Sequence, residues 1–335
     1  MATLYDICKL TGLSTATVSR VINGSDLVRK ETRQRVLAAI EELNYHPSHA
    51  ARMLAGHKTD IIGVVLPLLD DGFYVQVLRG IDQVATQENM KLLISFYHSE
   101  SDLVEALHSL CGEGRTDAVI MSNHTPLPPQ KMRELAGEHI PIVLIAENHE
   151  NIKAIDSVMV DNFLGAYHAV EHLLEPEPES LLLLKGPDSI FDSRERLRGA
   201  LQAIDEASCK PEVIILEGNF YQEEGRRVFA EHIRKHGTFP DAVFAFNDAM
   251  AFGVLDVLRD ASRHVPEETQ VVGFDSTNMA EALGLSSIGV PMRKIGEESV
   301  RLALERIRNK EMGPSTLTMG THLITRKTTK TGRVQ

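Results

Sequence analysis

From residue 60 onward, short apolar segments alternate with longer amphipathic segments, and this alternation restricts the possible folds more than any other feature of the chain. Ten segments are predicted strands, at residues 61–67, 91–97, 117–122, 140–146, 157–161, 181–186, 212–218, 242–247, 270–275 and 286–290. Amphipathic helices are predicted between most of them, for example at residues 74–88, 162–174, 192–207, 222–236, 248–261 and 293–309. Near-continuous apolar strands that alternate with helices form parallel sheets covered on both faces. The predicted fold is therefore α/β, and ten strands fit two doubly wound lobes better than one.

The N-terminal residues carry a different, purely helical pattern. Residues 3–6 have the spacing of a capping box and begin a short helix, which is followed by a tight turn at residues 11–13. Ser14 is a good N-cap for a second helix, and Asn23-Gly24 supplies its C-terminal stop. Apolar side chains share one face of this second helix: Val18, Val21 and Ile22. A third helix is predicted over residues 28–44, with an apolar face that closes a small core: Val36, Ile40 and Leu43.

The opposite face of the second helix is polar and contains no acid. It carries short hydroxyls, one methyl and one guanidinium: Thr15, Ala16, Thr17, Ser19 and Arg20. Hydroxyls donate to phosphates, small apolar groups contact thymine methyls, and an arginine can form two hydrogen bonds with guanine. Two helices joined by a three-residue turn at the N-terminus are typical of a helix-turn-helix, so this face is predicted to enter a DNA groove.

Residues 3–25, TLYDICKLTGLSTATVSRVINGS, resemble the DNA-binding headpiece of the LacI/GalR family, and residues 42–56, ELNYHPSHAARMLAG, resemble its hinge helix. The resemblance implies that two hinge helices, one from each subunit, pair in the minor groove and insert Leu54 into a base step. The alternative for Leu54 is a linker residue packed on the body. The DNA-binding residues predicted in this way are Leu4, Tyr5, Ser14, Thr15, Ala16, Thr17, Ser19, Arg20, Asn23, Arg29 and Leu54. Arg29 is a poor cap for the third helix and is predicted either to contact a phosphate or to lie solvated on the surface.

The same resemblance implies a body like a periplasmic binding protein, with two lobes joined by three crossings near Asp161, near Val290-Pro291 and near residues 319–322. Ligands of open α/β sheets bind beyond the carboxyl ends of the strands, here in the cleft between the lobes. Polar or aromatic side chains follow several of the predicted strands. The predicted effector-binding residues are Phe73, Tyr74, Ser122, Asp161, Arg196, Phe220, Asn247 and Asp275.

Several of these residues have a purely structural alternative. An aspartate after a strand often caps the next helix, which applies to Asp161 and to Asp248. Arg196 and Asp275 could form a salt bridge across the lobes. Phe220 could belong to the hydrophobic core.

The distribution of charge agrees with a DNA-binding segment confined to the N-terminus. The 335-residue chain has a net charge of −12, but residues 1–59 hold eight Lys and Arg against five Asp and Glu. An acidic body would be repelled by phosphates, so DNA contact should be restricted to the weakly basic head. The predicted domains are a headpiece at 1–46, a hinge at 47–59 and a two-lobed body at 60–335. The N-lobe covers about 60–160 and 291–322, and the C-lobe covers about 161–290.

Two other classes of function compete with DNA binding. His168 and His172 belong to an H-x-x-E-H sequence, as in some zinc peptidases, but the pattern is short and is expected on a solvent-facing helix. A solute-binding transport component would suit the body alone, but not the N-terminal helix pair, and no signal peptide is recognised.

The remaining expectations concern compartment and partners. Three cysteines without pattern, Cys8, Cys111 and Cys209, predict a reducing cytoplasm, and no segment is predicted to span a membrane. The absence of a C-terminal leucine heptad favours a homodimer. The sequence therefore predicts a cytoplasmic, dimeric repressor that binds an approximately palindromic DNA operator and responds to a small-molecule effector of the sugar type. No enzymatic activity, cofactor or metal is predicted.

Overall fold

The computed structural model describes residues 2–22, 27–45, 59–67, 72–123, 127–136, 140–145, 155–309 and 311–330. The chain divides into two compact units, residues 1–59 and residues 60–335. Asn23, Leu54 and almost all of the predicted hinge over 47–59 lie outside the described residues, so the expectations for them stay predictions.

The first unit contains three helices, α1 (Leu4–Thr11), α2 (Thr15–Ile22) and α3 (Lys30–Glu42). The predicted capping box begins α1: the Thr3 amide donates to the Asp6 carboxylate at 2.8 Å, and the Asp6 amide donates to the Thr3 hydroxyl. Gly12 ends the helix with φ 66°, a left-handed conformation that costs glycine little. The Ser14 hydroxyl accepts from the Thr17 amide at 3.3 Å and so caps α2 as predicted. Arg29 occupies the N-cap position of α3 and makes no side-chain cap hydrogen bond, in agreement with the prediction that it is a poor cap.

These helices enclose a small core. Its buried members come from all three helices and from Tyr45, three residues beyond the end of α3: Ile7, Val18, Val21, Val36, Ala39 and Tyr45. Ile40 and Leu43 of the predicted third-helix face are only half-buried, and Ala39 is the more buried residue in that turn. Burial of Val18 and Val21 fixes which face of α2 is left to solvent.

The second unit contains two six-stranded sheets, which define the N-lobe and the C-lobe. The N-lobe strands are β1 (Ile61–Pro67), β2 (Lys91–Tyr97), β3 (Ala118–Met121), β4 (Ile142–Ile145), β5 (Asp156–Val160) and β11 (Thr316–Met319). The C-lobe strands are β6 (Ser180–Lys185), β7 (Glu212–Glu217), β8 (Ala242–Ala245), β9 (Gln270–Asp275), β10 (Ser286–Gly289) and β12 (His322–Ile324). The spatial orders are β2-β1-β3-β4-β5-β11 and β7-β6-β8-β9-β10-β12. Every pairing is parallel except that of β10 with β12.

Helices cover both sheets, as the alternating pattern predicts. They are α4 (Gly72–Gln87), α5 (Glu100–Cys111), α6 (Pro129–Ala136), α7 (Asn162–Leu174), α8 (Phe191–Glu206), α9 (Gln222–His236), α10 (Asp248–Asp260), α11 (Asn278–Leu283) and α12 (Met292–Arg308). The ten predicted strands are all present within two residues of their predicted ends. The short strands β11 and β12 were not predicted, because their residues alternate between exposed and half-buried positions and contain no apolar run.

The chain passes between the sheets three times. It leaves the N-lobe after β5 at Asp161, returns after β10 at Val290-Pro291, and leaves again between β11 and β12 at Gly320-Thr321. Helix α12 therefore packs on the N-lobe, although it follows the whole C-lobe in sequence.

Helix α12 contacts α4 through glycine on both sides. A Cβ atom on Gly80 would lie 1.9 Å from the Arg293 carbonyl oxygen, and one on Gly296 would lie 2.1 Å from the Val77 carbonyl oxygen. The two backbones touch at these points, so neither position has room for a side chain. This contact holds a late segment of the chain against an early one.

Candidate functional sites

The solvent-facing side of α2 presents the predicted recognition residues together. Thr15, Ala16 and Arg20 are exposed, whereas Thr17 and Ser19 are half-buried. The Thr17 hydroxyl lies 2.9 Å from the Ser14 hydroxyl, so those two groups share a hydrogen bond at the start of the helix. Arg20 is the basic residue of the last turn. The result is a rigid helix with hydroxyl, methyl and guanidinium groups on its outer face.

Three further predicted DNA-binding residues lie elsewhere in the headpiece. Leu4 is half-buried and packs against the small core, which gives it a structural role. Tyr5 is 72% exposed, a high value for an aromatic side chain with a large apolar ring. Arg29 is exposed at the start of α3.

A cavity of about 980 Å³ opens between the lobes. Helix α4 of the N-lobe forms one wall through Gly72, Val75, Gln76 and Arg79. The C-lobe forms the other wall through residues 219–224 and 226, part of α10, and the loop that follows β9. Of the predicted effector-binding residues, Phe220 and Asp275 line this cavity. It is called the cleft below.

The predicted residues of the N-lobe are brought together, but beneath its surface. Phe73 and Tyr74 are buried, with their rings edge to face and their centroids 5.1 Å apart. The Tyr74 hydroxyl lies 2.9 Å from the hydroxyl of fully buried Ser122. Tyr97, which sequence reasoning missed, donates its hydroxyl to the Ser122 carbonyl at 2.9 Å.

Arg196 lies at the centre of a buried group of polar side chains in the C-lobe. Its Nε donates to the Asn162 side-chain oxygen at 2.8 Å, and its Nη1 donates to the Phe246 carbonyl. Its Nη2 lies 3.7 Å from the Asp192 carboxylate and 3.9 Å from the Asp275 carboxylate. The guanidinium also stacks on the Phe274 ring, 3.8 Å from the centroid. We call the side chains of Asn162, Asp192, Arg196 and Asp275 the Arg196 cluster.

The Arg196 cluster corrects one expectation and adds one residue. The alternative of an Arg196–Asp275 ion pair is present, but both residues belong to the C-lobe, so the pair does not cross the lobes. Sequence reasoning missed Asp192 because it lies in the first turn of a helix, where an acid is commonly explained by its favourable interaction with the helix dipole. Its spacing of four residues from Arg196 was the available signal, since such residues share a helix face.

The aspartates that follow strands behave differently from one another. The Asp161 carboxylate accepts from the Leu164 amide at 3.0 Å and caps α7, in agreement with the structural alternative. For Asp248 that alternative is wrong, because Asn247 is the cap of α10 and accepts from the Met250 amide at 2.9 Å. The Asn247 amide group also donates to the Phe220 carbonyl. Asp248 instead accepts from the Ser287 hydroxyl at 2.5 Å and from the Thr277 amide at 2.7 Å.

Both C-lobe loops that line the cleft contain strained backbone. Asn219 and Phe220 have φ values of 53° and 64°, and Asp275 and Ser276 have φ values of 109° and 54°. Residues other than glycine pay about 1–3 kcal/mol for such conformations, which often occur in ligand-binding loops. Phe220 is half-buried and packs on the core, yet it also lines the cleft, so the two interpretations of this residue are compatible.

Burial raises the pKa of two carboxyls at this site to about 6. The first is Asp192, where Arg196 opposes the effect of burial, and the second is Asp248, where the Ser287 hydrogen bond opposes it. Both groups therefore bind a proton more tightly in the folded protein than in the unfolded chain. In the folded state the ionised form of each carboxyl is therefore higher in free energy, relative to its protonated form, than in the unfolded chain.

This cost predicts a specific pH dependence of stability. Between about pH 4 and pH 6 the folded state holds protons that the unfolded chain has released, so each carboxyl should make stability fall as the pH rises through this window. Asp192→Asn should remove this pH dependence, so that the free energy of unfolding of the variant rises relative to that of the wild type by about 2–3 kcal/mol between about pH 4 and pH 6. The difference would be measured from urea unfolding curves of both proteins at several pH values. A difference that does not vary across this pH range would contradict the expectation.

The two histidines of the candidate zinc sequence differ in exposure. His168 is partly exposed, with its Nδ1 3.2 Å from the Glu171 carboxylate. His172 is buried, with 8% exposure, which contradicts the expectation of a solvent-facing pair. Among the residues that the structure describes, no group of three or more potential ligands could hold a metal ion. The described helices also include none that combines the length and apolar character needed to cross a bilayer.

A known protein family matches part of each compact unit. Residues 3–48 match the family of bacterial regulatory proteins, lacI family, and residues 170–329 match the periplasmic binding protein-like domain. Catabolite control protein A of Priestia megaterium is 30% identical over 96% of this chain and 97% of its own. The lac repressor dimer bound to operator and the anti-inducer ONPF is 27% identical, with a TM-score of 0.83 over 98% of this chain and 99% of that one. The transcriptional regulator CelR–cellobiose complex is 29% identical, with a TM-score of 0.73 over 98% and 100%.

Proposed function

This chain belongs to the lacI family of DNA-binding transcription regulators, and from that membership we propose that it is a homodimeric repressor whose operator affinity is set by a small effector. The proposal divides the chain into a headpiece at 1–46, a hinge at 47–59 and a two-lobed effector-binding body at 60–335. The two compact units on either side of residue 59 support this division. The relatives compared above are transcription regulators, which favours regulation of genes in the cytoplasm over catalysis.

The observation that carries the DNA-binding role is the outer face of α2. Thr15, Ala16 and Arg20 project from a helix whose opposite face is fixed by the buried Val18 and Val21. A rigid helix of this kind can enter the major groove with its N-terminal residues against base edges. Arg20 then donates to a base or a phosphate, and the small side chains of Thr15 and Ala16 set which bases approach closely.

We expect a double change at the start of α2 to alter operator preference. Thr15→Tyr/Ala16→Gln replaces two small exposed side chains with large ones, and selection from a random DNA library should return a different half-site for this variant than for the wild type. Arg20→Ala should weaken binding by about 1–3 kcal/mol, measured by fluorescence anisotropy at fixed salt concentration.

Gln34→Ala, at an exposed position of α3 whose side chain is not assigned to DNA binding, is the matched control and should change neither measurement. The same half-site from the wild type and the double variant would show that these two residues do not read the operator.

The cleft supports the effector-binding role. It has room for a small polar ligand, and its wall combines a half-buried aromatic, Phe220, with the carboxylates of Asp248 and Asp275. Aromatic rings and carboxylates together suit a polyhydroxy ligand, since the ring covers its apolar face and carboxylates accept from hydroxyls. The structurally similar CelR forms a complex with cellobiose, which supports a sugar as the class of effector.

Effector binding changes operator affinity only if it favours one arrangement of the lobes over another. In this proposal the segment over 47–59 transmits the change, with Leu54 in the minor groove when the two hinge segments pair. A typical coupling free energy of about 1–3 kcal/mol corresponds to a change of roughly 5- to 150-fold in operator affinity.

A further inference from the structure

The residue before the first strand of the body has a strained backbone. Asp60 has φ 56°, a left-handed conformation, and it comes directly before β1. Residues other than glycine generally pay about 1–3 kcal/mol for such a conformation and keep it where the surrounding contacts require it. Because Asp60 is exposed, burial of its side chain does not account for the conformation. The contacts of its main chain should therefore explain it.

Hydrogen bonds hold the main chain of Asp60 from both sides. Its carbonyl accepts from the Lys91 amide, at the start of β2, at 2.7 Å. Its amide donates to the Asp117 carboxylate at 2.9 Å, and the Asp117 amide donates to the Ile61 carbonyl at 2.8 Å. Asp117 therefore binds two consecutive residues, one through its side chain and one through its main chain. We call the contacts among Asp60, Ile61, Lys91 and Asp117 the Asp117 clamp.

The Asp117 clamp lies at the point where the chain enters the N-lobe. The boundary between the two compact units falls between Thr59 and Asp60. Asp117 comes directly before β3, and β1 pairs with both β2 and β3 in the interior of the N-lobe sheet. The clamp thus ties residue 60 to this sheet at three points. In the proposed function, the same residue is where the hinge over 47–59 joins the body.

We propose that Asp117 is a positioning residue for operator recognition, which fixes the length and direction of the connection between the hinge and the N-lobe. This inference rests on the proposed function, because it assumes that the hinge transmits the arrangement of the lobes to DNA. A hinge that is tied at Asp60 must follow the N-lobe when the lobes rearrange. Without the clamp, the backbone before β1 would rotate more freely, and less of the rearrangement would reach the headpieces.

The clamp should matter for specific DNA binding and not for non-specific binding. Two headpieces that bind one operator together depend on a connection of defined length, because a looser connection lowers the effective concentration of the second headpiece at its half-site. Non-specific binding arises from contacts with phosphates along any duplex and sets no such requirement. A residue that only stabilised the body would not distinguish these two kinds of binding.

The test removes the acceptor at residue 117 in the full-length protein. Asp117→Ala lacks the carboxylate, whereas Asp117→Asn keeps a side-chain oxygen that can accept from the Asp60 amide. Fluorescence anisotropy at fixed salt concentration would measure affinity for an operator selected with the wild type and for an unrelated duplex of the same length. We expect Asp117→Ala to lose at least about fivefold in operator affinity and to bind the unrelated duplex as the wild type does. Asp117→Asn should keep most of the operator affinity.

A second variant breaks the same hydrogen bond without changing Asp117. In Asp60→Pro, residue 60 has no amide hydrogen and cannot adopt φ 56°, so the same selective loss of operator affinity is expected. Hydrogen exchange reports on the clamp directly. The Asp60 amide should exchange roughly two- to tenfold more slowly in the wild type than in Asp117→Ala, while the amides within β1 keep their rates and show that the N-lobe is folded.

Asp205→Ala is the matched control. It removes the same charge from an exposed position near the end of α8, in the C-lobe, and should change neither affinity. Three results would overturn the inference: wild-type operator affinity in both Asp117→Ala and Asp60→Pro, an equal loss for operator and unrelated duplex in both, or a loss in Asp117→Asn as large as in Asp117→Ala. A selection in which the wild type enriches no DNA sequence would refute the proposed function instead.

Discussion

Arg196→Ala should lower the free energy of unfolding of the body by about 3–5 kcal/mol, because it leaves Asp192 and Asp275 buried without their shared cation. The variant also removes the donors to Asn162 and to the Phe246 carbonyl. The loss would be measured by urea unfolding followed by circular dichroism at neutral pH, where both carboxyls are ionised in the unfolded chain.

A compensated variant tests whether charge is the reason. Asp192→Asn/Arg196→Met/Asp275→Asn removes the cation together with both acids and keeps similar side-chain volumes. Replacing a complete buried charge group is often close to neutral for stability, so this triple variant should recover most of the loss. If Arg196→Ala costs less than about 1 kcal/mol, the Arg196 cluster is not a buried ion network of the kind described.

Gly80→Ala should destabilise the N-lobe by about 3 kcal/mol or more. The new Cβ would stand 1.9 Å from a backbone carbonyl of α12, and a backbone atom cannot turn aside as a flexible side chain can. Helices α4 and α12 must therefore separate, which removes the packing of their neighbours as well. Thermal unfolding of the full-length protein would report the change.

Gly112→Ala is the control for Gly80→Ala. Gly112 ends α5 with φ −61°, which any residue adopts, and a Cβ there would meet nothing within 4 Å. That substitution should be neutral or should stabilise the protein by less than about 1 kcal/mol. Equal effects of the two substitutions would mean that the close approach of α4 and α12 does not govern the cost.

The fold class was predictable because the physical signal is repeated many times along the chain. Each of the ten predicted strands is an apolar run, as is typical of parallel sheets with helices on both faces, and strands such as Gln270–Asp275 match residue for residue. Strands β11 and β12 escaped because they are only four and three residues long and contain no apolar run. The burial of His172 escaped for a related reason, since a single helix turn does not reveal which neighbour covers it.

The candidate sites were less predictable than the fold. The face of α2 follows from helical periodicity, since burial of Val18 and Val21 leaves Thr15, Ala16 and Arg20 to solvent. The Arg196 cluster does not follow in this way, because Asn162 and Asp192 are brought together by the packing of α7 on α8. The residues around each position do not show which two helices will pack against each other.

The three crossings between the lobes also determine the order in which the body can be completed during synthesis. Domains generally fold as units when the chain emerges from the ribosome. Here the N-lobe is started first but completed late: α12 and β11 are made only after the C-lobe up to β10, and the C-lobe strand β12 follows them. Until then, the surface of α4 at Val77 and Gly80 that later receives α12 has no covering helix. At that stage the nascent C-lobe is nearly complete, whereas the N-lobe still lacks α12 and β11. A ribosome that stalls before residue 292 would therefore leave a nearly complete C-lobe beside an incomplete N-lobe.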